Sequence, residues 1–404
     1  MAGRRSRGDT RDIMTEQFDL EADVAENFDA IRPFYDDEVP AILARLTHND
    51  EFVDTVARYR LSRLFRHCRP LARFLARQGL RRAIRGVNSI RDFQRHIAVY
   101  MDRMIDQTTE TFEVAGLEQL ADDTAYLFIG NHRDIALDPA FVNYALYQAG
   151  RDTVRIAIGD NLLQKPFVTD LMRLNKSFIV PRSSRGKREM IAAYQQLSCY
   201  IRHSLIAENH SVWLAQREGR AKNGVDRTDA AIIKMLGMAR RQRNRDALIG
   251  ESIRELRLVP VSISYEYDPC DMQKARELKA VNEGGRYEKT AYEDILSIAA
   301  GITGNKGRVR LVFGTPVGTA EDTLESLTAE IDRQVMAGYT LFPSHYLALE
   351  ATGHAPDLID HAAITDADRQ RFQARLAEVP AELRDYWLCQ YANPVLNRAG
   401  YEPL

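Results

Sequence analysis

From about Phe18 to Asp106 apolar residues recur every three or four positions, the period of a helix buried on one face. Pro33, Pro40 and Pro70 mark breaks in that helical stretch. At Phe112-Glu113-Val114-Ala115-Gly116 the regime changes, and short apolar runs begin to alternate with helical ones. The runs predict strands at Tyr126–Ile129, Val154–Ile158, Phe178–Val180, Val212–Ala215, Leu258–Tyr265 and Val309–Phe313. Helical spacing falls at Ala140–Ala149, Phe167–Leu174, Lys187–Glu208 and Asp229–Met238. Strands this hydrophobic, separated by helices, predict an α/β fold with a mainly parallel or mixed sheet covered by helices. A helical tail follows from about Thr323 to Tyr391. The expected organisation is therefore a disordered stretch over 1–18 and an arginine-rich helical region over 19–106. An α/β domain over 107–320 and a helical C-terminal extension over 321–404 complete it.

Composition narrows this picture. A chain of 404 residues with 45% hydrophobic and 28% charged side chains is an ordinary globular composition. A net charge of -2 speaks against general nucleic-acid affinity. Cys68, Cys199, Cys270 and Cys389 lie far apart, show no metal-ligand spacing and read as reduced thiols of a cytoplasmic protein. The histidines His96, His203, His210 and His345 are equally scattered, so no metal is expected. No apolar run is long enough to span a membrane, and no hydrophobic segment follows the first residues. Arginine, however, recurs thirteen times between Arg58 and Arg103, interleaved with Leu61, Leu64, Phe65, Leu71, Phe74 and Leu75. Helices of that pattern either rest on an anionic membrane surface or pair with the acidic segment before them.

Candidate chemistry concentrates in Asn131-His132-Arg133-Asp134-Ile135-Ala136-Leu137-Asp138-Pro139, directly after the strand-like run ending at Ile129. Asp138-Pro139 reads as an N-cap followed by proline at the first helical position. His132 then sits in a strand-to-helix loop, where α/β sheets place reactive groups. An imidazole held by a carboxylate on one nitrogen can take a proton with the other, and Asp134 and Asp138 are both candidates for that carboxylate.

Four segments in order resemble the glycerolipid acyltransferases, the superfamily of glycerol-3-phosphate and 1-acylglycerol-3-phosphate acyltransferases. The first is Asn131-His132 with its following aspartate. The family places four residues between histidine and aspartate; here Leu137 holds that position and Asp138 follows it. The second is Asn175-Lys176-Ser177-Phe178-Ile179-Val180-Pro181-Arg182, with Arg185, Lys187 and Arg188 beyond. The third is Glu218-Gly219-Arg220 after a strand, preceded by Gln216-Arg217 where the family has phenylalanine-proline. The fourth is the strand Leu258-Val259-Pro260-Val261-Ser262-Ile263. Together they span roughly 112–316.

The resemblance implies His132 as general base, with Asp138, or alternatively Asp134, orienting it. It implies Lys176, Arg182, Glu218, Gly219 and Arg220 as acceptor-binding residues, the arginines holding phosphate. The acyl donor would be acyl-CoA or acyl carrier protein, used as a co-substrate with no other cofactor. The acceptor would be 1-acyl-glycerol-3-phosphate or another lysophospholipid, with glycerol 3-phosphate as the alternative. Such an enzyme would work as a peripheral protein on the cytoplasmic face of a membrane in phospholipid biosynthesis. Two other classes compete: a non-catalytic membrane-surface protein built on the 58–103 arginines, and a phosphate-ester hydrolase.

Overall fold

The computed structural model describes residues 27–182, 186–285, 287 and 293–404. The expected disorder of 1–18 lies outside the described residues, and so does Arg185. The chain first forms α1 (Val39–His48), α2 (Asp50–Arg60), α3 (Ser62–His67), α4 (Arg69–Ala83) and α5 (Ile90–Thr108). α5 leads into β1 (Thr109–Ala115). Next come β2 (Leu127–Gly130), α6 (Leu137–Gln148), β3 (Arg155–Gly159), α7 (Pro166–Leu174), β4 (Ser177–Val180), α8 (Lys187–Ile206) and β5 (Val212–Ala215). Three short helices, α9 (Ala230–Leu236), α10 (Met238–Arg243) and α11 (Ile249–Glu255), precede β6 (Leu258–Tyr265). After α12 (Asp271–Gly284) and α13 (Glu293–Thr303), β7 (Gly307–Phe313) completes the sheet. The tail holds α14 (Leu324–Gly338), α15 (Pro343–Thr352), α16 (Asp366–Ala377) and α17 (Arg384–Arg398).

The described residues form one seven-stranded sheet in the order β1-β7-β6-β2-β5-β3-β4. β2 pairs in parallel with both β5 and β6, and β3 with β5 and β4, so five strands share one direction. β7 runs antiparallel to β6 and parallel to β1. The sheet is therefore mixed. Thr108 and Lys306, which precede β1 and β7, consequently lie at the edge where β2 and β6 end. The backbone contact from Tyr267 N–H to Lys306 O at 3.1 Å marks that meeting.

Alternation of side chains sends β2 into two cores. Leu127 and Ile129 join one with Leu197, Tyr200, Ile201 and Ile253. Phe128 joins the other with Phe141, Val142, Trp213 and Val261. Burial on both faces explains why these strands read as unbroken apolar runs. A third core surrounds Trp387, which is wholly buried between α12, α15 and α17.

The arginines between 58 and 103 divide into two sets. Arg69 and Arg73 pair with Asp54, and Arg77 meets Asp50 at 2.7 Å. The Arg73 hydrogen bond, with help from Arg69, holds the Asp54 carboxyl well below the usual range. The others are exposed, as are Leu71, Phe74 and Leu75. Among the described residues no helix is long and apolar enough to cross a membrane.

Candidate active site

β2 ends at Gly130, and residues 131–136 turn into α6 at the edge shared by the ends of β5 and β6. Asn131 ties this turn down. Its Oδ1 accepts from Ile263 N–H at 2.8 Å, and its Nδ2 donates to Ile263 O at 3.0 Å. His132 O in turn accepts from Ala221 N–H at 2.8 Å, joining the turn to the segment after β5.

His132 Nδ1 lies 2.8 Å from Asp138 Oδ2. That oxygen also receives the backbone N–H of Arg133 at 2.7 Å and of Asp134 at 2.9 Å. Asp138 Oδ1 receives the Tyr265 hydroxyl at 2.8 Å. With Nδ1–H donating to Asp138, Nε2 is the nitrogen left to accept a proton. The imidazole packs edge-on to Trp213, ring centres 6.0 Å apart, and its side chain keeps 14% exposure at the rim of an otherwise buried site.

The helix start differs from the expectation. α6 begins at Leu137, so Asp138 is inside the first turn and is not the N-cap. Asp134 caps instead, its Oδ1 accepting from Ala136 N–H at 2.9 Å and Leu137 N–H at 2.8 Å. This division of labour frees Asp138 for the imidazole. Burial, followed by the charge of Asp138, pushes the Asp134 carboxyl up to about 6.

Arg182 and Glu218 follow β4 and β5 at this same edge and meet at 3.4 Å, both substantially exposed. Arg182 lies across Gly159, where an added Cβ would stand 2.9 Å from its Nε. Gly219 has φ 75, the left-handed conformation that glycine adopts without strain, and turns the chain from Glu218 to Arg220. Arg220 is buried, its Nη2 3.4 Å from Ser297 Oγ. Lys176 is elsewhere. It precedes β4 while Arg182 follows it, so the strand carries the two to opposite edges of the sheet. Its buried Nζ donates to Thr153 O at 3.1 Å, and burial lowers it to about 8. The structure thus does not bring Lys176 to His132, because a four-residue strand separates it from Arg182.

Several residues around the site carry no signal in the sequence. Tyr265 holds Asp138 from 127 positions away. Arg133 forms a buried pair with Asp226 at 2.5 Å and lies over the Tyr339 ring at 5.0 Å. Lys274 Nζ donates to Arg133 O at 2.7 Å and pairs with Asp268. These contacts bind the back of the His132 turn to α12 and to Tyr339 at the end of α14. Among the described residues no group of three or more His, Cys, Asp or Glu side chains is arranged to hold a metal.

Residues 111–224 match the family model described as Acyltransferase. That segment is similar to an acyltransferase domain. It contains the His132 turn, Arg182 and Glu218-Gly219-Arg220, and it agrees with the superfamily that the four sequence segments resemble. Among solved structures the chain is similar to the 1-acyl-sn-glycerophosphate (LPA) acyltransferase PlsC from Thermotoga maritima. The identity is 16%, with 74% of this chain and 95% of that chain covered at a TM-score of 0.35, a likeness that adds nothing to the assignment. No curated protein matches the chain. In the matched segment His132 and Asp138 are separated by five residues, and the contact at 2.8 Å is made across that turn.

Proposed function

We propose that this protein transfers a fatty acyl group from acyl-CoA or acyl carrier protein to the hydroxyl of a phosphate-bearing glycerolipid acceptor, 1-acyl-glycerol-3-phosphate. The observation that carries this reading is the 2.8 Å contact between His132 Nδ1 and Asp138 Oδ2 within the segment similar to an acyltransferase domain. His132 Nε2 takes the acceptor's hydroxyl proton as that oxygen attacks the thioester carbonyl. Asp138 keeps the imidazole in the required tautomer and offsets its positive charge as the proton arrives. The tetrahedral species then expels thiolate, with no covalent acyl-enzyme. Arg182 meets the acceptor phosphate, displacing the exposed partner Glu218, and Arg220 supplies a second cation. The exposed arginines of α2–α5 bring the protein to the cytoplasmic face of an anionic membrane. Glycerol 3-phosphate is the second reading of the acceptor, favoured by Pro139 directly after Asp138, a feature of the soluble branch that uses it.

Purified protein should release free thiol from long-chain acyl-CoA, or holo carrier protein from its acylated form, only when an acceptor is present. Mass spectrometry of the product identifies the acceptor. His132→Ala should lower kcat by about 10²–10⁴-fold, the usual worth of a general base. Absence of acceptor-dependent transfer from either donor overturns the reading.

A further inference from the structure

The polarity of α13 is reversed. Three of its four large apolar side chains, Ile295, Leu296 and Ile302, are 52%, 60% and 43% exposed and Ile298 is half-buried, while the residues it buries are Ser297 and Gly301. The buried face closes on the candidate active site. A Cβ on Gly301 would stand 2.2 Å from Asp134 Oδ2, so the helix backbone rests directly on that carboxylate. One turn earlier, Ser297 Oγ meets Arg220 Nη2 at 3.4 Å, and Ser297 O accepts from the Cys270 thiol at 3.4 Å.

Beneath this helix two buried polar atoms have no partner among the described residues: Asp134 Oδ2 and Arg220 Nη1. Arg220 is only 8% exposed. A guanidinium taken out of water with one long contact is unfavourable unless something else completes it. Asp268, whose charge Arg220 feels, is already occupied by Lys274 and the Cys270 N–H. A phosphate oxyanion has the charge and the geometry to accept from the unpartnered Nη1.

The outer face has its own surroundings. α13 packs against α5, whose Val99 and Tyr100 are also exposed, flanked by exposed Arg95 and Arg103. Tyr100 touches Arg60 at the end of α2, whose guanidinium lies 5.8 Å from the ring centre. Exposed apolar side chains set among arginines suit an anionic lipid surface, the apolar groups entering hydrocarbon and the cations meeting headgroups.

We propose that α13 is a lipid-operated lid: its outer face docks on an anionic bilayer, and its withdrawal opens the Arg220 subsite to the acceptor phosphate. The proposal rests on the acyl-transfer reading for the identity of the acceptor. It does not rest on it for the movement, so the two can fail separately.

Cys270 reports the lid directly, because its thiol is buried against Ser297 and burial pushes it up to about 12. The full chain carrying Cys68→Ser would be treated with N-ethylmaleimide, with and without phosphatidylcholine vesicles containing phosphatidylglycerol. Labelled positions are read by peptide mass spectrometry. Vesicles should speed labelling of Cys270 about tenfold, as for a local opening stabilised by lipid. Buried Cys199 and Cys389 should not respond. The double variant Leu296→Glu with Ile302→Glu, changed only at exposed positions, should lose the acceleration. Glycerol 3-phosphate added with vesicles should speed labelling further, because it binds only where the lid is withdrawn, and uncharged glycerol should not. Cys270 labelling that ignores vesicles, or accelerates equally in the variant, overturns the lid. Equal effects of glycerol and glycerol 3-phosphate overturn the subsite beneath it. A wild type that shows the opening but transfers no acyl group overturns the acyl-transfer reading instead.

Discussion

The Tyr265 hydroxyl donates to Asp138 Oδ1 at 2.8 Å, on the carboxylate whose other oxygen holds His132. The ring is wholly enclosed, and burial, reinforced by the nearby Asp138 and Asp134 carboxylates, raises its hydroxyl well above the usual value. It therefore acts as a fixed donor. Tyr265→Phe should leave Asp138 free to rotate and lower kcat by about ten- to a hundredfold, in line with a charge-assisted bond of about 1.5–3 kcal/mol. Steady-state kinetics should show little change in KM for either substrate. An unchanged kcat would mean that the two backbone N–H groups suffice to hold Asp138.

Asp138→Asn should damage transfer far more than Asp134→Asn. At position 138 an amide cannot present acceptors to the His132 Nδ1–H, two backbone N–H groups and the Tyr265 hydroxyl together. The Asp134→Asn variant, by contrast, keeps a side-chain oxygen to cap α6. A loss of about 10²–10⁴-fold is expected for Asp138→Asn, since a wrongly oriented imidazole is a lost base. Parity between the two variants would reassign the orienting carboxylate.

Asp134 also makes a pH prediction. Its folded-state value of about 6 is above the ordinary 3.8, so the native fold favours the neutral acid. The stabilising contribution is complete below the ordinary value and is lost as pH rises through about 6. Asp134→Asn should therefore gain stability relative to wild type between pH 4 and 7, by up to about 3 kcal/mol for two pKa units. Thermal melts across that range check the sign, and a gap that narrows with rising pH contradicts it.

His345 predicts the opposite slope. It accepts from Phe342 N–H at 3.0 Å through Nδ1, and burial lowers it to about 3. A depressed histidine contributes stability above its ordinary value of about 6.5, and the contribution falls as pH drops toward 3. His345→Gln should flatten the decline in stability between pH 6 and 4, measured by denaturant titration at each pH. A slope identical to wild type would place the acid sensitivity elsewhere.

Arg182→Ala should raise KM for the phosphate-bearing acceptor and leave KM for the acyl donor nearly unchanged. Its present partner Glu218 is 69% exposed, and exposed pairs contribute about 0–1 kcal/mol, so a phosphate can replace it. Arg182→Lys should recover only part of the effect, having charge without the planar fork. Equal changes toward donor and acceptor would mark Arg182 as surface charge.

Strand positions were legible because each central strand is buried on both faces and so appears as a short apolar run with turn residues at its ends. β1 was not legible as a strand: its burial alternates irregularly at the sheet edge, and its partner β7 lies almost two hundred residues later. The sequence by itself determined that His132 would sit in a loop with two carboxylates within reach, because those residues are only six positions apart. Which carboxylate takes the imidazole depended on where α6 begins, and the backbone N–H groups at its start claim Asp134. The strand predicted at Phe178–Val180 already separates Lys176 from Arg182, because a strand places its two ends at opposite edges, and the structure has it there. Only the tertiary structure brought in Tyr265, Arg133 with Asp226, and the small-residue face of α13. Those contacts join segments with no shared local pattern, and burial alone makes their polar groups seek one another.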